Sequence, residues 1–237
     1  HHMKAHVMAH FIEDPKPQFP FLCLTVSGGH TQILQVNDYN EMEVLGTTID
    51  DAAGEAFDKT AKMLGLPYPG GPLIDQYAKD GNPKAFKFSE PNIPDLNFSF
   101  SGLKTSVLYF LWDQTKINSN FVQENLHDIC ASIQFTIVKI LLKKLKKASD
   151  QTGIKQIAIA GGVSANKGLR NTLQELAVKE NWTVYIPDFQ YCTDNAGMIA
   201  ISGYYKYLKG EFAPIDISIL ARWSMNEWNT YFLILTT

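Results

Sequence analysis

Four turns rich in glycine or asparagine, far apart in the sequence, constrain this chain more than any other feature. Each stands between a strand-like and a helix-like run; they are Ser27-Gly28-Gly29-His30-Thr31, Pro69-Gly70-Gly71-Pro72, Gly161-Gly162-Val163-Ser164-Ala165-Asn166 and Thr193-Asp194-Asn195-Ala196. Glycine has no Cβ, so two glycines in succession let the backbone approach a bulky anion or sugar closely. The turns therefore predict a nucleotide cleft that is assembled from distant parts of the chain.

The segments between the turns predict an α/β fold. Apolar runs at residues 19–26 and 154–160 end in glycine turns, as buried strands do. Residues 31–36 alternate in polarity and are predicted as the hairpin partner of the first strand, with a third strand at residues 43–46. The last third of the chain alternates strand and helix, which implies a parallel sheet with helices packed on it.

The strongest helix prediction covers residues 124–147. Its apolar residues form one stripe at helical spacing: Leu126, Ile129, Ile133, Ile137, Ile140 and Leu141. Four lysines, at positions 143, 144, 146 and 147, are predicted to lie at its C-terminus, where the helix dipole favours cations. A second helix is predicted to begin with Asp50 as its N-cap and to stop at Gly65, and the proline-containing residues 82–97 are predicted to be a long loop.

Composition excludes several classes of protein. The chain has 237 residues, 45% of them hydrophobic and 19% charged, which are globular values. A net charge of −3 argues against a strongly basic nucleic-acid binder but leaves room for a local basic patch. The three cysteines are far apart and odd in number, as expected for reduced thiols in a cytoplasmic protein. The sequence contains no apolar run of about 18 residues, so no membrane span is predicted.

Histidines near the first residue form a candidate metal site. His2 and His6 are four residues apart, which places both rings on one helical face. His6 and His10 repeat the spacing, so spacing alone does not choose the pair. Neither His2 nor His6 is followed by the glutamate that metallopeptidases use as their base. Asp194 is the best-placed third ligand, although an aspartate in Thr-Asp-Asn is equally suited to be a helix N-cap.

Two other groups of charged residues allow both a structural and a functional interpretation. Asp51, Glu55 and Asp58 share one helical face, either as a solvated stripe or with one carboxylate bound to ribose hydroxyls. Lys104 follows Ser101-Gly102-Leu103, which lacks the spacing of a phosphate-binding loop. It is therefore either a surface lysine or a contact to an anion.

Taken together and in order, the motifs resemble the bacterial TsaD family. They are His-Met-Lys-Ala-His, Val-Ser-Gly-Gly-His-Thr, Ile-Asp-Asp-Ala-Ala-Gly-Glu-Ala-Phe-Asp-Lys, Tyr-Pro-Gly-Gly-Pro, Phe-Ser-Phe-Ser-Gly-Leu-Lys-Thr, Gly-Gly-Val-Ser-Ala-Asn and Thr-Asp-Asn-Ala. The family comprises the tRNA N6-adenosine threonylcarbamoyltransferases, formerly called O-sialoglycoprotein endopeptidases or glycoproteases. The similarity extends from His1 to about Leu208, and the tail from Trp223 onward matches no motif.

The resemblance implies a fold, an activity and a set of site residues. The fold is the actin-like ATPase fold of sugar kinases, Hsp70 and actin, here mainly the C-terminal lobe, with a mixed sheet flanked by helices. The activity is transfer of threonylcarbamoyl from its adenylate to N6 of the adenosine next to the anticodon, in tRNAs that read codons beginning with A. The implied metal ligands are His2, His6 and Asp194, and the residues implied to bind the substrate are Thr25, Val26, Ser27, Gly28, Gly29, Asp58, Gly71, Asp75 and Asn166.

The resemblance also implies ligands and partners. They are one divalent metal ion, iron(II) or zinc, the substrate threonylcarbamoyl-AMP, and ATP or ADP as further ligands. The partners are tRNA, a paralogous actin-like protein and a small ATPase of the same modification pathway, with no membrane involved. No general base is evident in the sequence.

The domain organisation follows from the same resemblance. We expect residues 1–18 to be a metal-binding helix or hinge and residues 19–215 to be an actin-like lobe with a helical excursion near residues 82–150. Residues 216–237 are expected to form a separate tail. Family members carry a further N-terminal lobe of about a hundred residues, an ordinary domain size, which this sequence lacks. The alternatives are a metallo-endopeptidase acting on O-sialoglycoproteins, a small-molecule kinase of the same fold and a non-catalytic nucleotide-binding lobe of an assembly.

Overall fold

The computed structural model describes residues 1–216, which contain five strands and nine α-helices. The strands are β1 (Phe21–Val26), β2 (Thr31–Val36), β3 (Met42–Thr47), β4 (Gln156–Ala160) and β5 (Thr183–Tyr185). The helices are α1 (His2–Met8), α2 (Ala53–Met63), α3 (Gly70–Ala78), α4 (Ser101–Ile117), α5 (Phe121–Glu124), α6 (Leu126–Thr152), α7 (Lys167–Glu180), α8 (Phe189–Cys192) and α9 (Ala196–Leu208). All but the start of the predicted tail lies outside the described residues.

The strands form one mixed sheet in the order β3-β2-β1-β4-β5. β1 pairs antiparallel with β2, which pairs antiparallel with β3, while β4 runs parallel to β1 and β5 parallel to β4. β1 is central and its six residues are all buried, as its apolar sequence, interrupted only by Thr25, predicts. The predicted hairpin and the predicted parallel sheet are both confirmed.

Helices cover both faces of the sheet. Leu22, Leu24 and Ile159 share one core with α2, α4, α6 and α7. Residues of opposite parity in the same strands, such as Cys23 and Ala158, pack with residues of α1 and α9. Strand side chains alternate between the two faces, so a strand buried on both sides must be apolar throughout. The predicted mixed sheet flanked by helices is confirmed.

The long helix α6 is present, but it extends beyond its predicted end. Its stripe from Ile129 to Leu141 is buried against the sheet side of the core. The helix continues to Thr152 and stops at Gly153, whose φ of 73° suits a glycine C-cap. The four lysines consequently do not cap its C-terminus, and that prediction was wrong. Lys144 and Lys147 instead donate to the carbonyl of Asp95, which fastens the predicted long loop to α6.

Asp50 does not cap α2, contrary to the prediction. The N-cap residue of α2 is Ala52, which makes no side-chain cap bond. Asp50 instead accepts hydrogen bonds from the Phe100 N–H at 2.8 Å and the Ser101 hydroxyl at 2.7 Å, at the start of α4. Desolvation raises the pKa of the Asp50 carboxyl, but hydrogen bonds from Ser99, Phe100 and Ser101 together hold it below its usual range. None of the helices among residues 1–216 is long and apolar enough to cross a bilayer.

A buried aliphatic residue of α6 provides a test of the core. Ile133 has no exposed surface, so Ile133→Ala is expected to lower the free energy of unfolding by about 2–5 kcal/mol through lost burial and the cavity left behind. Val178→Ala, at a side chain that is 85% exposed, is the matched control and is expected to change stability by less than about 0.5 kcal/mol. Urea unfolding measures both. Equal effects of the two substitutions would show that the α6 stripe is not core.

A buried histidine is expected to make the fold sensitive to acid. The Nε2 atom of His10 lies 2.9 Å from the Ile159 carbonyl oxygen and donates to it. Burial lowers the pKa of His10 to about 4, although this bond opposes the shift. The unfolded state then binds the proton more tightly, so the stabilisation is complete above a pH of about 6.5 and is lost as the pH falls toward 4.

The size of that loss can be measured with a non-titrating replacement. His10→Gln retains an N–H donor, so its unfolding free energy is expected to fall less than that of the parent between pH 7 and pH 4. The full difference is up to about 3 kcal/mol, at about 1.4 kcal/mol per pH unit of the shift. His30→Gln, at an exposed histidine, should leave the pH dependence as it is. Identical pH profiles for His10→Gln and the parent would contradict the buried neutral state.

Candidate functional site

The turns that follow β1 and β4 lie side by side at one edge of the sheet. β1 and β4 are parallel neighbours, with Thr25 opposite Ala160, so both strands end at the same edge. Gly161 has a φ of 88°, and a Cβ there would lie 2.5 Å from the Val26 carbonyl oxygen. Only glycine fits this contact. Crevices at the carboxyl ends of parallel strands are where open α/β sheets bind their ligands.

The turn after β1 is closed by its own hydrogen bonds and is held by the start of α2. The Ser27 N–H donates to the His30 carbonyl at 2.8 Å, and the Gly54 N–H donates to the Ser27 carbonyl at 3.2 Å. Nothing lies within 4 Å of the positions where Gly28 and Gly29 would carry a Cβ. The backbone of these two glycines therefore faces open space, as a site for a phosphate or sugar requires.

The side chains of Thr25 and Val26 are not accessible to a ligand, so these residues offer only backbone groups to the candidate site. Both are fully buried in β1, and the Thr25 hydroxyl lies 3.4 Å from the Gln32 carbonyl oxygen of β2. Of the five predicted residues in this stretch, Ser27, Gly28 and Gly29 are the ones that form the turn itself.

Asp58 joins α2 to the second glycine turn. One of its carboxylate oxygens accepts from the N–H groups of Gly70, at 2.8 Å, and Gly71, at 3.0 Å. It thereby caps α3, whose own N-cap residue, Pro69, makes no side-chain cap bond. Both bonds use Oδ1, so among residues 1–216 the second oxygen, Oδ2, keeps capacity for a hydroxyl donor.

Asp75 on α3 caps α7 in the same way that Asp58 on α2 caps α3. Its Oδ1 accepts from the N–H groups of Lys167, at 3.0 Å, and Gly168, at 3.3 Å, and so caps α7. Asn166 completes this cap, since its own Oδ1 accepts from Leu169 and its amide donates to Gln134 on α6 at 2.7 Å. The substrate residues predicted from sequence are thus connected through α2, α3 and α7.

A cavity of about 600 Å³ lies beside Asn166, between α3, α6 and α7. Gln134 and Gly168 line its end nearest to Asn166, and apolar side chains such as Ala131, Val138 and Leu142 form much of its wall. Cofactor pockets commonly combine an apolar lining with a few polar groups in this way. Sequence reasoning missed Gln134, because a single glutamine in a long amphipathic helix carries no signal.

The structure also shows what Asp51, Glu55 and Lys104 contact, which the sequence alone left open. Lys104 lies 3.6 Å from Asp51, which is also paired with Lys59 at 2.9 Å. Glu55 pairs with Lys59 at 2.8 Å. Asp51 and Glu55 are therefore engaged by lysines, whereas Asp58 is engaged by backbone N–H groups.

The three predicted metal ligands converge on one point. The Nε2 atoms of His2 and His6 lie 3.3 and 3.2 Å from Oδ1 of Asp194, and the three candidate ligand atoms lie within 4.8 Å of one another. His10 is excluded from this group by its bond to Ile159. Asn195, rather than Asp194, caps α9, because its Oδ1 accepts from the Met198 N–H at 2.8 Å.

These three residues fit a divalent cation. Metal–ligand bonds of about 2.1 Å place two ligand atoms of one shell roughly 3.0–3.4 Å apart, which matches the two distances between nitrogen and oxygen. Unprotonated Nε2 lone pairs facing a carboxylate oxygen would repel it, so a proton or a cation must stand between them. Burial and the neighbouring His2 lower the pKa of His6 against the opposing effect of Asp194, which favours the neutral imidazole that metals bind.

The family model described as TsaD, tRNA N6-adenosine threonylcarbamoyltransferase, matches residues 1–201. The chain is 61% identical over 225 residues to the tRNA N6-adenosine threonylcarbamoyltransferase of Christiangramia forsetii, covering 94% of this chain and 66% of that protein. It is 59% identical over 217 residues to the protein of the same name from Cytophaga hutchinsonii, covering 92% and 63%. The chain thus spans slightly less than two thirds of the length of these curated relatives.

Two solved structures with the same fold have low sequence identity to this chain. Full-length HypF in a phosphate- and nucleotide-bound form gives a TM-score of 0.63 at 13% identity, covering 86% of this chain and 36% of that one. HypF of T. kodakarensis gives 0.61 at 15% identity, covering 89% and 36%. The fold is the actin-like ATPase fold, as the family resemblance implied.

The metal site is tested by its aspartate. Asp194→Ala removes one of the three candidate ligands, so metal content is expected to fall well below that of the parent, for which we expect about one divalent ion per chain. Metal affinity of the parent is expected to fall on acidification, because protons compete for His2 and His6. Mass spectrometry of the elements measures the content, and Asp113→Ala, at an exposed aspartate on α4, is the control. Full metal content in Asp194→Ala would remove Asp194 from the ligand set.

Proposed function

Because the chain belongs to the TsaD family of tRNA N6-adenosine threonylcarbamoyltransferases, we propose that it binds threonylcarbamoyl-AMP and transfers the threonylcarbamoyl group to tRNA. The acceptor is N6 of the adenosine next to the anticodon, in tRNAs that read codons beginning with A. One structural observation supports the proposal independently of the family assignment. The glycine turns after β1 and β4 meet at one edge of the sheet, beside helices whose N-termini are capped by Asp58 and Asp75.

The adenylate is accommodated by groups of different chemistry. The open backbone at Gly28 and Gly29 suits the phosphate, for which N–H groups and the absence of side chains are the requirement. The free carboxylate capacity of Asp58 and Asp75 suits hydroxyl donors of the ribose or the threonyl group. The cavity near Asn166, which apolar side chains and several lysines line, is the candidate position for the adenine ring.

The reaction is an acyl transfer. The exocyclic N6 amine attacks the carbamoyl carbonyl carbon, the new C–N bond forms, the bond from that carbon to the phosphate oxygen breaks, and AMP leaves. The N6 proton passes to the leaving phosphate or to water, so atoms and charge balance. Backbone N–H groups at the glycine turns stabilise the charge that builds on the departing phosphate.

The remaining components of the proposal are a metal ion and partners. His2, His6 and Asp194 would hold one divalent ion, iron(II) or zinc, which supplies a Lewis acid and a template for substrate oxygens when bound. ATP or ADP would occupy the same nucleotide site. The partners we propose are tRNA, a paralogous actin-like protein and a small ATPase of the pathway, in the cytoplasm.

The direct test of the activity uses threonylcarbamoyl-AMP and tRNA that lacks the modification. After incubation with the purified protein and its pathway partners, the tRNA is digested, and its nucleosides are analysed by mass spectrometry. We expect threonylcarbamoyladenosine in tRNAs reading codons that begin with A and in no others. Absence of the product from a preparation that binds adenine nucleotide would refute the transfer.

Asp58 allows the nucleotide site to be tested separately. Asp58→Asn retains an acceptor for Gly70 and Gly71 but removes the charge, so α3 stays capped while the carboxylate is lost. ADP affinity, measured by calorimetry, is expected to fall about 10-fold or more, the loss of one charge-assisted hydrogen bond. Glu55→Gln removes a carboxylate from the same helix and is expected to leave ADP affinity unchanged. Unchanged affinity in Asp58→Asn would reduce Asp58 to a structural cap of α3.

A further inference from the structure

Arg170 connects two parts of the site that are remote in sequence. It lies in the first turns of α7, directly after the glycine turn of residues 161–166. Its Nε donates to the Ser164 carbonyl inside that turn at 2.7 Å. Its Nη2 donates to the Pro187 carbonyl at 2.6 Å and lies 3.1 Å from the Cys192 sulfur. One half-buried guanidinium thus bonds to the glycine turn and to the segment that leads to Asp194.

The segment from Pro187 to Cys192 is held on several sides. The guanidinium carbon of Arg170 lies 4.1 Å from the centre of the Phe189 ring, a cation–π contact. The Cys192 side chain is completely buried, and its sulfur also lies 3.5 Å from the Asp188 carbonyl. α8 ends at Cys192, only two residues before Asp194.

Asp194 itself has little else to hold it. Its side chain is 77% exposed, and within residues 1–216 its polar contacts are those to His2 and His6. The α9 cap is made by the neighbouring Asn195 and not by Asp194. The direction of the Asp194 carboxylate therefore depends on where the preceding segment lies, and Arg170 is one of the groups that hold that segment, through the Pro187 carbonyl and the Cys192 sulfur.

From these contacts we propose that Arg170 is a positioning residue, which aims Asp194 at the two histidines and ties that aim to the glycine turn of residues 161–166. The inference rests on the proposed function for the metal itself, but it concerns this chain's own residues. A planar guanidinium suits the task, since it presents several donors in a fixed geometry. An ammonium at the end of a lysine has no such fork, so Arg170→Lys is not a conservative change here.

The proposal predicts how metal and nucleotide binding separate. Arg170→Met keeps aliphatic volume over Phe189 but removes every donor, so affinity for Co²⁺ is expected to fall by up to about 10-fold, the lower end of the effect of losing a group bonded directly to a metal ligand. ADP affinity is expected to fall much less than Co²⁺ affinity, because Asp58, Asp75 and Asn166 keep their bonds and only the bond to the Ser164 carbonyl is lost on the nucleotide side. Arg170→Lys should recover only part of the Co²⁺ affinity.

The measurements are optical titration of the purified protein with Co²⁺, calorimetry with ADP, and thermal unfolding of each variant. Lys155→Met, at an exposed lysine just before β4, is the matched control and should equal the parent in all three. A merely structural role of Arg170 would lower thermal stability and both affinities together, and that result overturns the proposal. Unchanged Co²⁺ affinity in Arg170→Met would also overturn it.

Two further comparisons keep the outcome decisive. If Arg170→Met does not fold, Cys192→Ala removes one of the partners of Arg170 and is expected to weaken Co²⁺ binding in the same direction but less. Co²⁺ affinity equal to the parent's in Cys192→Ala would then overturn the proposal. If the parent binds ADP but no Co²⁺, the metal assignment in the proposed function fails; if the parent binds both and the Arg170 variants do so equally, only the present inference fails.

Discussion

The arrangement of this molecule depends on aspartate side chains that accept hydrogen bonds from the N-terminus of a helix other than their own. Asp58 on α2 caps α3, Asp75 on α3 caps α7, and Asp50 caps α4. The first N–H groups of a helix have no partner within the helix, and a carboxylate satisfies them with charge-assisted bonds that also favour the helix dipole. Each cap fixes two elements relative to one another. The chain of caps from α2 to α7 therefore places three motifs around one space.

The same carboxylates serve both folding and the proposed binding of a nucleotide. Asp58 and Asp75 each use Oδ1 for two backbone N–H groups, which leaves capacity at the other oxygen. A ligand hydroxyl bound there meets a group that is already oriented, so little conformational entropy remains to be lost. Because one carboxylate can serve both purposes, the spacing of Asp51, Glu55 and Asp58 alone does not distinguish a solvated stripe from a binding site.

The second constraint ties the start of the described chain to its later part. α1 packs with α9, and His2 and His6 of α1 face Asp194 just before α9. His10 anchors the same region to the sheet through Ile159. Because Arg170 joins the segment before Asp194 to the glycine turn, the two proposed ligand sites share a mechanical connection.

The sequence by itself determined the features that depend on neighbours along the chain. Apolar runs and alternation predicted β1, β2 and β4, the spacing of isoleucines predicted α6, and the motifs identified the family and its fold. Helical spacing put His2 and His6 on one face, but it allowed His6 and His10 as well. Only the tertiary structure decided what each polar group contacts: Asp50 reaches α4 some fifty residues away, the lysines of α6 hold a loop, and Asn195 takes the cap for which Asp194 was equally suited. The role of Arg170 left no local signal. Hydrogen bonds of this kind form between groups that the chain brings together only when its core has packed, and no pattern of nearby residues records them.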